Sequence, residues 1–122
     1  MSVRADNKES PVLRSTVDKL LQASRESGGR LWRDIARRLT GPRRNYSAVN
    51  LAKLDRLTSE GDVAVVPGAV LGTGRLTKKI TVAGFKASAS ARRKIEEAGG
   101  RYVSLEELAS ENPKGTGIKI IG

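Results

Sequence analysis

Two adjacent arginines, Arg43 and Arg44, stand in a short connection between two predicted helices, with no carboxylate beside them. A guanidinium group is planar, always charged and able to donate parallel hydrogen bonds, so it suits phosphate oxygens. The surrounding stretch, residues 25–56, holds nine basic and three acidic residues, and eight of the nine bases are arginine. This pattern favours contact with RNA or DNA over a merely solvated helix face. The residues assigned to nucleic-acid binding here are Arg30, Arg33, Arg37, Arg38, Arg43, Arg44, Lys53 and Arg56.

A second basic stretch, residues 75–101, carries eight bases against two acids, Glu96 and Glu97. Its predicted helix has bases near the positive N-terminal end and acids near the negative C-terminal end, against the helix dipole. A phosphate site at that end and a tolerated surface arrangement are equally compatible with this order of charges. The residues assigned to RNA binding in this stretch are Arg75, Lys78, Lys79, Arg92 and Arg93.

Composition limits the classes of function. The 122 residues carry a net charge of +10, with an isoelectric point near 10.5. So large an excess implies a polyanionic partner, nucleic acid before an anionic membrane. The sequence contains neither cysteine nor histidine, which excludes disulfides, Cys/His zinc sites and the commonest general base. No apolar run has the length of a membrane span or a signal peptide, and we expect a cytoplasmic protein.

Catalytic chemistry finds little support in the sequence. The glycines of residues 68–74 match neither phosphate-binding loop pattern, and they are better interpreted as turn glycines. No nucleophile has a base beside it, so we predict no enzyme activity, no cofactor, no metal site and no small-molecule substrate. Two alternatives stay open: a DNA-binding protein using a helix-loop-helix at residues 30–58, and, ranked last, an RNA-modifying enzyme.

Hydrophobic spacing predicts an all-helical first half. A helix begins at Ser10-Pro11 and ends at Gly28, and a second spans residues 30–39 with Trp32 in the core. A third helix is predicted to begin at Ser47, with Tyr46 and Leu51 as a hydrophobic staple and Asn50 bonded to backbone. Its predicted buried stripe is Leu51, Leu54 and Leu57.

The second half changes to an α/β pattern. Strands are predicted at residues 63–66 (ended by Pro67-Gly68), 70–71, 80–85, 101–103 and 118–121, with helices from Ser88 or Ser90 to about residue 98 and from residue 105 to Asn112. We therefore predict residues 1–9 as a flexible tail. Residues 10–122 form a single domain of the α/β (α+β) class, with a helical part at 10–60 and an α/β part at 61–122. The helical half packs on the second half.

Several segments resemble one protein family. Residues 28–39, 42–51, 66–74 and 112–115 are similar to archaeal members of the ribosomal protein eL-eighteen family of the large subunit. Residues 71–82 and 90–100 also resemble the related ribosomal protein L-fifteen. That relative has a long glycine- and arginine-rich N-terminal arm, which this sequence lacks, and the eL-eighteen family is therefore favoured.

The resemblance carries expectations about fold and partners. It implies an irregular, layered ββα fold in the second half and a structural role on large-subunit ribosomal RNA, without catalytic residues. The expected partners are that RNA and neighbouring ribosomal proteins, with no membrane. The expected location is the cytoplasmic ribosome, and the arginine-rich surfaces are expected to stabilise folded RNA rather than read a base sequence.

Overall fold

The structure, a computed structural model, describes residues 11–42 and 46–122. The predicted tail at residues 1–9 and the arginines at 43 and 44 lie outside this part. The helices are α1 (Pro11–Ser27), α2 (Leu31–Thr40), α3 (Leu51–Leu57), α4 (Ala89–Glu97) and α5 (Leu105–Glu111). The strands are β1 (Ser47–Asn50), β2 (Val63–Leu71), β3 (Thr81–Ala87), β4 (Arg101–Ser104) and β5 (Ile118–Ile120). This content confirms the predicted mixed α/β class.

The chain forms two compact units. The first contains the described residues up to Tyr46 together with Glu106–Gly115, and the second contains Ser47–Leu105 together with Thr116–Gly122. The helices α1 and α2 therefore belong to the first unit, and the whole sheet belongs to the second.

Trp32 anchors the core of the first unit. It is fully buried on α2, as predicted, and its indole Nε1 donates a hydrogen bond to the carbonyl oxygen of Asn112 at 2.9 Å. The apolar stripe at helical spacing supplies the other buried apolar side chains described on α1 and α2, which are Leu13, Val17, Leu20, Ile35, Ala36 and Leu39. Gly28 ends α1 in the left-handed region, with a φ of 79°, a conformation that glycine adopts without strain.

The second unit is built on an entirely parallel sheet of five strands. The order is β1-β2-β3-β4, and β5 also pairs with β2. Residues 63–65 of β2 pair with β5, whereas residues 68–71 pair with β1. On one face, Val66, Val70 and Val82 join the apolar residues of α3 and α4 in one buried cluster.

The prediction of two short strands separated by Pro67-Gly68 is wrong. β2 runs without interruption from Val63 to Leu71, and its pairing with β3 shifts register between Val66 and Ala69. Proline has no N–H to donate, and an irregularity of this kind accommodates it inside a sheet. Gly68 permits β1 to approach, because a Cβ there would lie 2.0 Å from the Ser47 carbonyl oxygen.

The prediction of a helix beginning at Ser47 is also wrong. Ser47–Asn50 is β1, and α3 begins only at Leu51. Asn50 is bonded to backbone as predicted, because its side chain accepts a hydrogen bond from the Lys53 amide at 2.9 Å and caps α3. Because α3 begins at Leu51 rather than after Ser47, Tyr46 and Leu51 do not occupy the positions that a hydrophobic staple requires. Leu57, predicted to be buried, is 44% exposed.

The remaining elements agree with the sequence patterns to within a few residues. Ser88 is the cap of α4, since its hydroxyl accepts a hydrogen bond from the Ala91 amide at 3.1 Å. β3, β4 and β5 lie where β-branched residues predicted strands, and α5 ends just before Asn112-Pro113.

Candidate nucleic-acid interface

The first basic surface lies on α2, and we call the exposed residues Arg30, Arg33, Arg37 and Arg38 the α2 face. Trp32, Ile35 and Leu39 fix its orientation, because they are buried on the opposite side of the same helix. Asp34 is the only acid in this stretch and lies in the first turn, whereas Arg37 and Arg38 lie in the last turn. Both placements agree with the helix dipole.

Arg33 has like charges on both sides along the helix. Arg30 precedes it by three residues and Arg37 follows it by four, spacings at which side chains are neighbours. Arg33 and Arg37 form no ion pair with any residue in the described ranges, 11–42 and 46–122. Arg33 and Arg37 therefore carry positive charge that no ion pair within the described residues neutralises.

The second basic surface is built around residues 72–80, which connect β2 to β3 and which we call the crossover. Thr81 pairs with Val63, so the crossover must return along the full length of β2. Nine extended residues span about 30 Å, the length of a nine-residue strand. The crossover is therefore an extended segment rather than a tight turn, although the sequence predicted turn glycines.

Helix α3 holds one side of the crossover. The amides of Leu51 and Ala52 donate to the carbonyl oxygen of Thr73 at 3.0 and 3.3 Å. Farther along, the Asp55 carboxylate accepts hydrogen bonds from the amide and the hydroxyl of Thr77, both at 2.8 Å. These two bonds lower the pKa of Asp55, so the carboxylate stays charged in the fold.

Helix α4 holds the other side. The Lys94 ammonium donates to the carbonyl oxygens of Gly72 and Gly74, at 2.8 and 3.2 Å. The two glycines fit the gap between the helices: a Cβ on Gly72 would lie 1.9 Å from the Ser90 hydroxyl oxygen, and one on Gly74 would lie 2.7 Å from the Ala52 Cβ. Close packing, rather than phosphate binding, therefore explains these glycines.

In the structure, two basic residues that the sequence assigned to the first stretch belong to the second basic surface. Lys53 and Arg56, assigned with the first stretch from the sequence, lie on α3 in the second unit beside the crossover. Arg56, Arg75 and Lys79 are exposed, and Lys53 is partly exposed. Together with the exposed Arg92 and Arg93 of α4 they form what we call the crossover surface.

Two lysines of this region are bound to backbone. The Lys78 ammonium donates to the carbonyl oxygens of Asp55 and Thr58, at the C-terminal end of α3, with 2.5 Å to Thr58. A cation in this position satisfies carbonyls that have no partner within the helix. Lys94, which the sequence did not single out, binds the crossover in the same way. The spacing of Lys78 and Lys94 along the chain did not predict that their ammonium groups would bind backbone carbonyls.

The reversed charges of α4 have local partners. The Arg92 guanidinium lies over the Tyr102 ring at 5.1 Å from its centroid, within the range of a cation–π contact. The Arg93 Nε lies 3.8 Å from a carboxylate oxygen of Glu97, one turn later, with both side chains well exposed. Burial raises the pKa of Tyr102, whose hydroxyl donates to the Gly84 carbonyl oxygen at 3.0 Å.

The opening pair, Arg43 and Arg44, lies outside the described residues. Tyr46, just after them, donates its hydroxyl to the Leu39 carbonyl oxygen at 2.5 Å. In the helix-loop-helix considered for DNA binding at residues 30–58, the second helix begins only at Leu51, because Ser47–Asn50 is a strand.

Other kinds of site have no counterpart in residues 11–42 and 46–122. No group of three or more acidic side chains there could hold a metal ion. Within the same ranges, no helix is long and apolar enough to cross a membrane.

Comparison with known proteins assigns a family. Residues 4–122 match the family described as "Ribosomal protein 60S L18 and 50S L18e". The large ribosomal subunit protein eL18 of Picrophilus torridus is 52% identical over 121 residues, which cover 99% of each chain. The proteins of the same name from Thermoplasma acidophilum and Halobacterium salinarum are 47% and 44% identical over 115 residues, or 94% of this chain and 96% and 98% of theirs.

These matches confirm the resemblance to archaeal members of the family that the sequence motifs indicated. The chain therefore belongs to the family of ribosomal proteins 60S L18 and 50S L18e, whose members are structural components and not enzymes.

Proposed function

We propose that this chain is a structural constituent of the large ribosomal subunit that binds and stabilises folded ribosomal RNA through the α2 face and the crossover surface. Its relatives carry the name of a large-subunit protein, and their similarity extends over nearly the whole chain. In this proposal the chain lies in the cytoplasm within the ribosome, beside other ribosomal proteins. Lys78 supports the crossover surface from within, since its ammonium binds carbonyls.

The observation that carries the proposal is the charge on the α2 face. Arg33 and Arg37 are exposed on a well-anchored helix without an ion-pair partner among residues 11–42 and 46–122. Arginine on a rigid helix binds phosphate oxygens at fixed positions, which suits RNA of defined shape. Arg43 and Arg44 enter the proposal on their sequence alone, as a continuation of this basic stretch.

Base stacking contributes little in this account. Of the four aromatic side chains in the described ranges, Trp32 is buried, and Tyr46 and Tyr102 donate their hydroxyls to backbone carbonyls. The fourth, Phe85, is partly buried on β3 and has the Lys86 ammonium 5.9 Å from its ring centroid. Single-stranded RNA is usually bound by exposed aromatic rings. The surfaces described here offer arginine and lysine, so their target is the phosphate backbone of folded RNA.

Incorporation into the subunit tests the proposal. Tagged wild-type chain, Arg33→Glu, the pair Arg43→Glu/Arg44→Glu and the control Arg25→Glu are expressed beside the untagged protein. Large subunits are then separated on sucrose gradients at moderate salt. Arg25 suits the control because it is an exposed arginine of α1 that we do not assign to RNA.

We expect about one wild-type copy per large subunit, a similar yield for Arg25→Glu and a strongly reduced yield for the other two variants. Circular dichroism checks that every variant is folded. Equal incorporation of all four folded chains would refute RNA binding through these arginines, and absence of the wild type from the large subunit would refute the ribosomal role.

A further inference from the structure

Arg75 lies near the middle of the crossover, with its side chain exposed between two helices. It forms no ion pair with a residue in the described parts of the chain. The backbone before Arg75 is fixed because Thr73 is bonded to α3 and the carbonyls of Gly72 and Gly74 are bonded to Lys94 of α4. The backbone after it is fixed by the bond from the Thr77 amide to the Asp55 carboxylate of α3. A flexible loop would lose conformational entropy when it bound RNA, and this segment is already ordered.

Two lysines hold the two halves of the crossover to opposite helices. Lys94 of α4 binds the carbonyls just before Arg75, and Lys78, just after it, binds the carbonyls at the end of α3. Lys78 and Lys94 are only partly exposed, in contrast to Arg75. Their charges therefore act on the protein's own backbone.

We propose, resting on the RNA-binding function above, that Arg75 binds a phosphate of the ribosomal RNA backbone and that Lys94 is a positioning residue that holds the crossover so that Arg75 meets this phosphate. Lys94 contributes to affinity through Arg75 and not by touching RNA.

A double-mutant cycle distinguishes a brace from a second phosphate contact. The affinity of the full chain for transcribed large-subunit ribosomal RNA is measured for wild type, Arg75→Ala, Lys94→Met and the double variant, with transfer RNA as competitor. Loss of a charge-assisted hydrogen bond to phosphate weakens binding about tenfold. We expect Lys94→Met to weaken binding by a similar factor and the double variant to bind no worse than Arg75→Ala.

Lys86→Met provides the matched control. It removes the same charge from an exposed residue of β3 whose ammonium lies 5.9 Å from the Phe85 ring centroid and which, in the described part of the chain, forms no hydrogen bond to the crossover. Combined with Arg75→Ala, its effect should be independent and therefore additive. Lys94→Arg retains donors for the two carbonyls and should restore most of the wild-type affinity.

Circular dichroism and thermal unfolding confirm that each variant is folded, and Lys94→Gln replaces Lys94→Met in the cycle if the latter is not. A folded Lys94 variant with unchanged affinity, or one whose effect multiplies with that of Arg75→Ala, overturns the positioning role. Full affinity of Arg75→Ala overturns the phosphate contact, while the proposed function survives if Arg33→Glu still weakens binding. If neither surface matters for RNA, the proposed function itself fails.

Discussion

The replacement Arg33→Ala should stabilise the protein while weakening its binding to RNA. Arg33 lies between Arg30 and Arg37 on α2, so it takes part in two like-charge pairs. Each such pair destabilises a helix by about 0.2–0.5 kcal/mol, and alanine has the higher helix propensity. With no described ion pair to lose, we expect the free energy of unfolding to rise by about 0.4–1 kcal/mol at low ionic strength, with a smaller gain in high salt.

The same replacement removes one phosphate contact. The slope of log K against log salt should therefore become shallower by about 0.7–0.9, the release expected for one neutralised phosphate. Urea unfolding followed by circular dichroism measures the first effect, and filter binding to ribosomal RNA between roughly 50 and 200 mM salt measures the second.

Asp34→Asn is a control for Arg33→Ala, because it should change both the free energy of unfolding and the affinity for RNA in the opposite direction. It removes the acid from the first turn of α2, which costs about 0.3–1 kcal/mol of favourable interaction with the helix dipole. Removal of this negative charge from α2 should at the same time tighten RNA binding.

If Arg33→Ala destabilised the protein, or left the salt slope unchanged, the interpretation of Arg33 as an arginine without an ion pair that binds phosphate would be refuted.

Three further predictions concern the fold. Hydrogen bonds from Thr77 lower the pKa of Asp55 below its ordinary 3.8. The ionised Asp55 therefore stabilises the fold fully above that value, and this stabilisation is lost as the pH falls through the folded-state pKa. Asp55→Asn should reduce the fall in unfolding temperature between about pH 5 and pH 2, and an unchanged pH profile would contradict this. Trp32→Phe removes a buried indole donor and should cost about 1–3 kcal/mol in urea denaturation, whereas a cost near zero would show that the bond is dispensable. Gly74→Ala, with a φ of 94° and a contact at 2.7 Å, should cost more in thermal unfolding than Gly61→Ala, which has a similar φ of 86° but open space, and equal costs would exclude the close packing.

Periodicity was sufficient for the elements whose apolar residues recur regularly. α1, α2 and α4 lie close to their predicted positions, because buried residues at helical spacing and clear end signals define them. The segment around Ser47 failed for a physical reason. A serine before an apolar stripe resembles a helix cap, but pairing of β1 with Gly68–Leu71 of β2 decides the conformation, and that partner is distant in sequence.

The candidate site was predictable in composition but not in arrangement. Exposed arginines on α2 follow from the amphipathic pattern. The sequence could not predict which lysines are exposed and which bind backbone, because only the crossover geometry brings the carbonyls near Lys78 and Lys94. Arg56 likewise joined Arg75 only through folding of the parallel sheet and its long return segment.

RNA binding through these arginines is tested most directly by an experimental map of the assembled large subunit that contains this chain. We predict that the guanidinium groups of Arg33, Arg37 and Arg75 lie about 2.7–3.2 Å from phosphate oxygens of ribosomal RNA and that Lys94 remains bound to the crossover carbonyls. Guanidinium groups that face solvent or another protein, with RNA against a different surface of the chain, would contradict it.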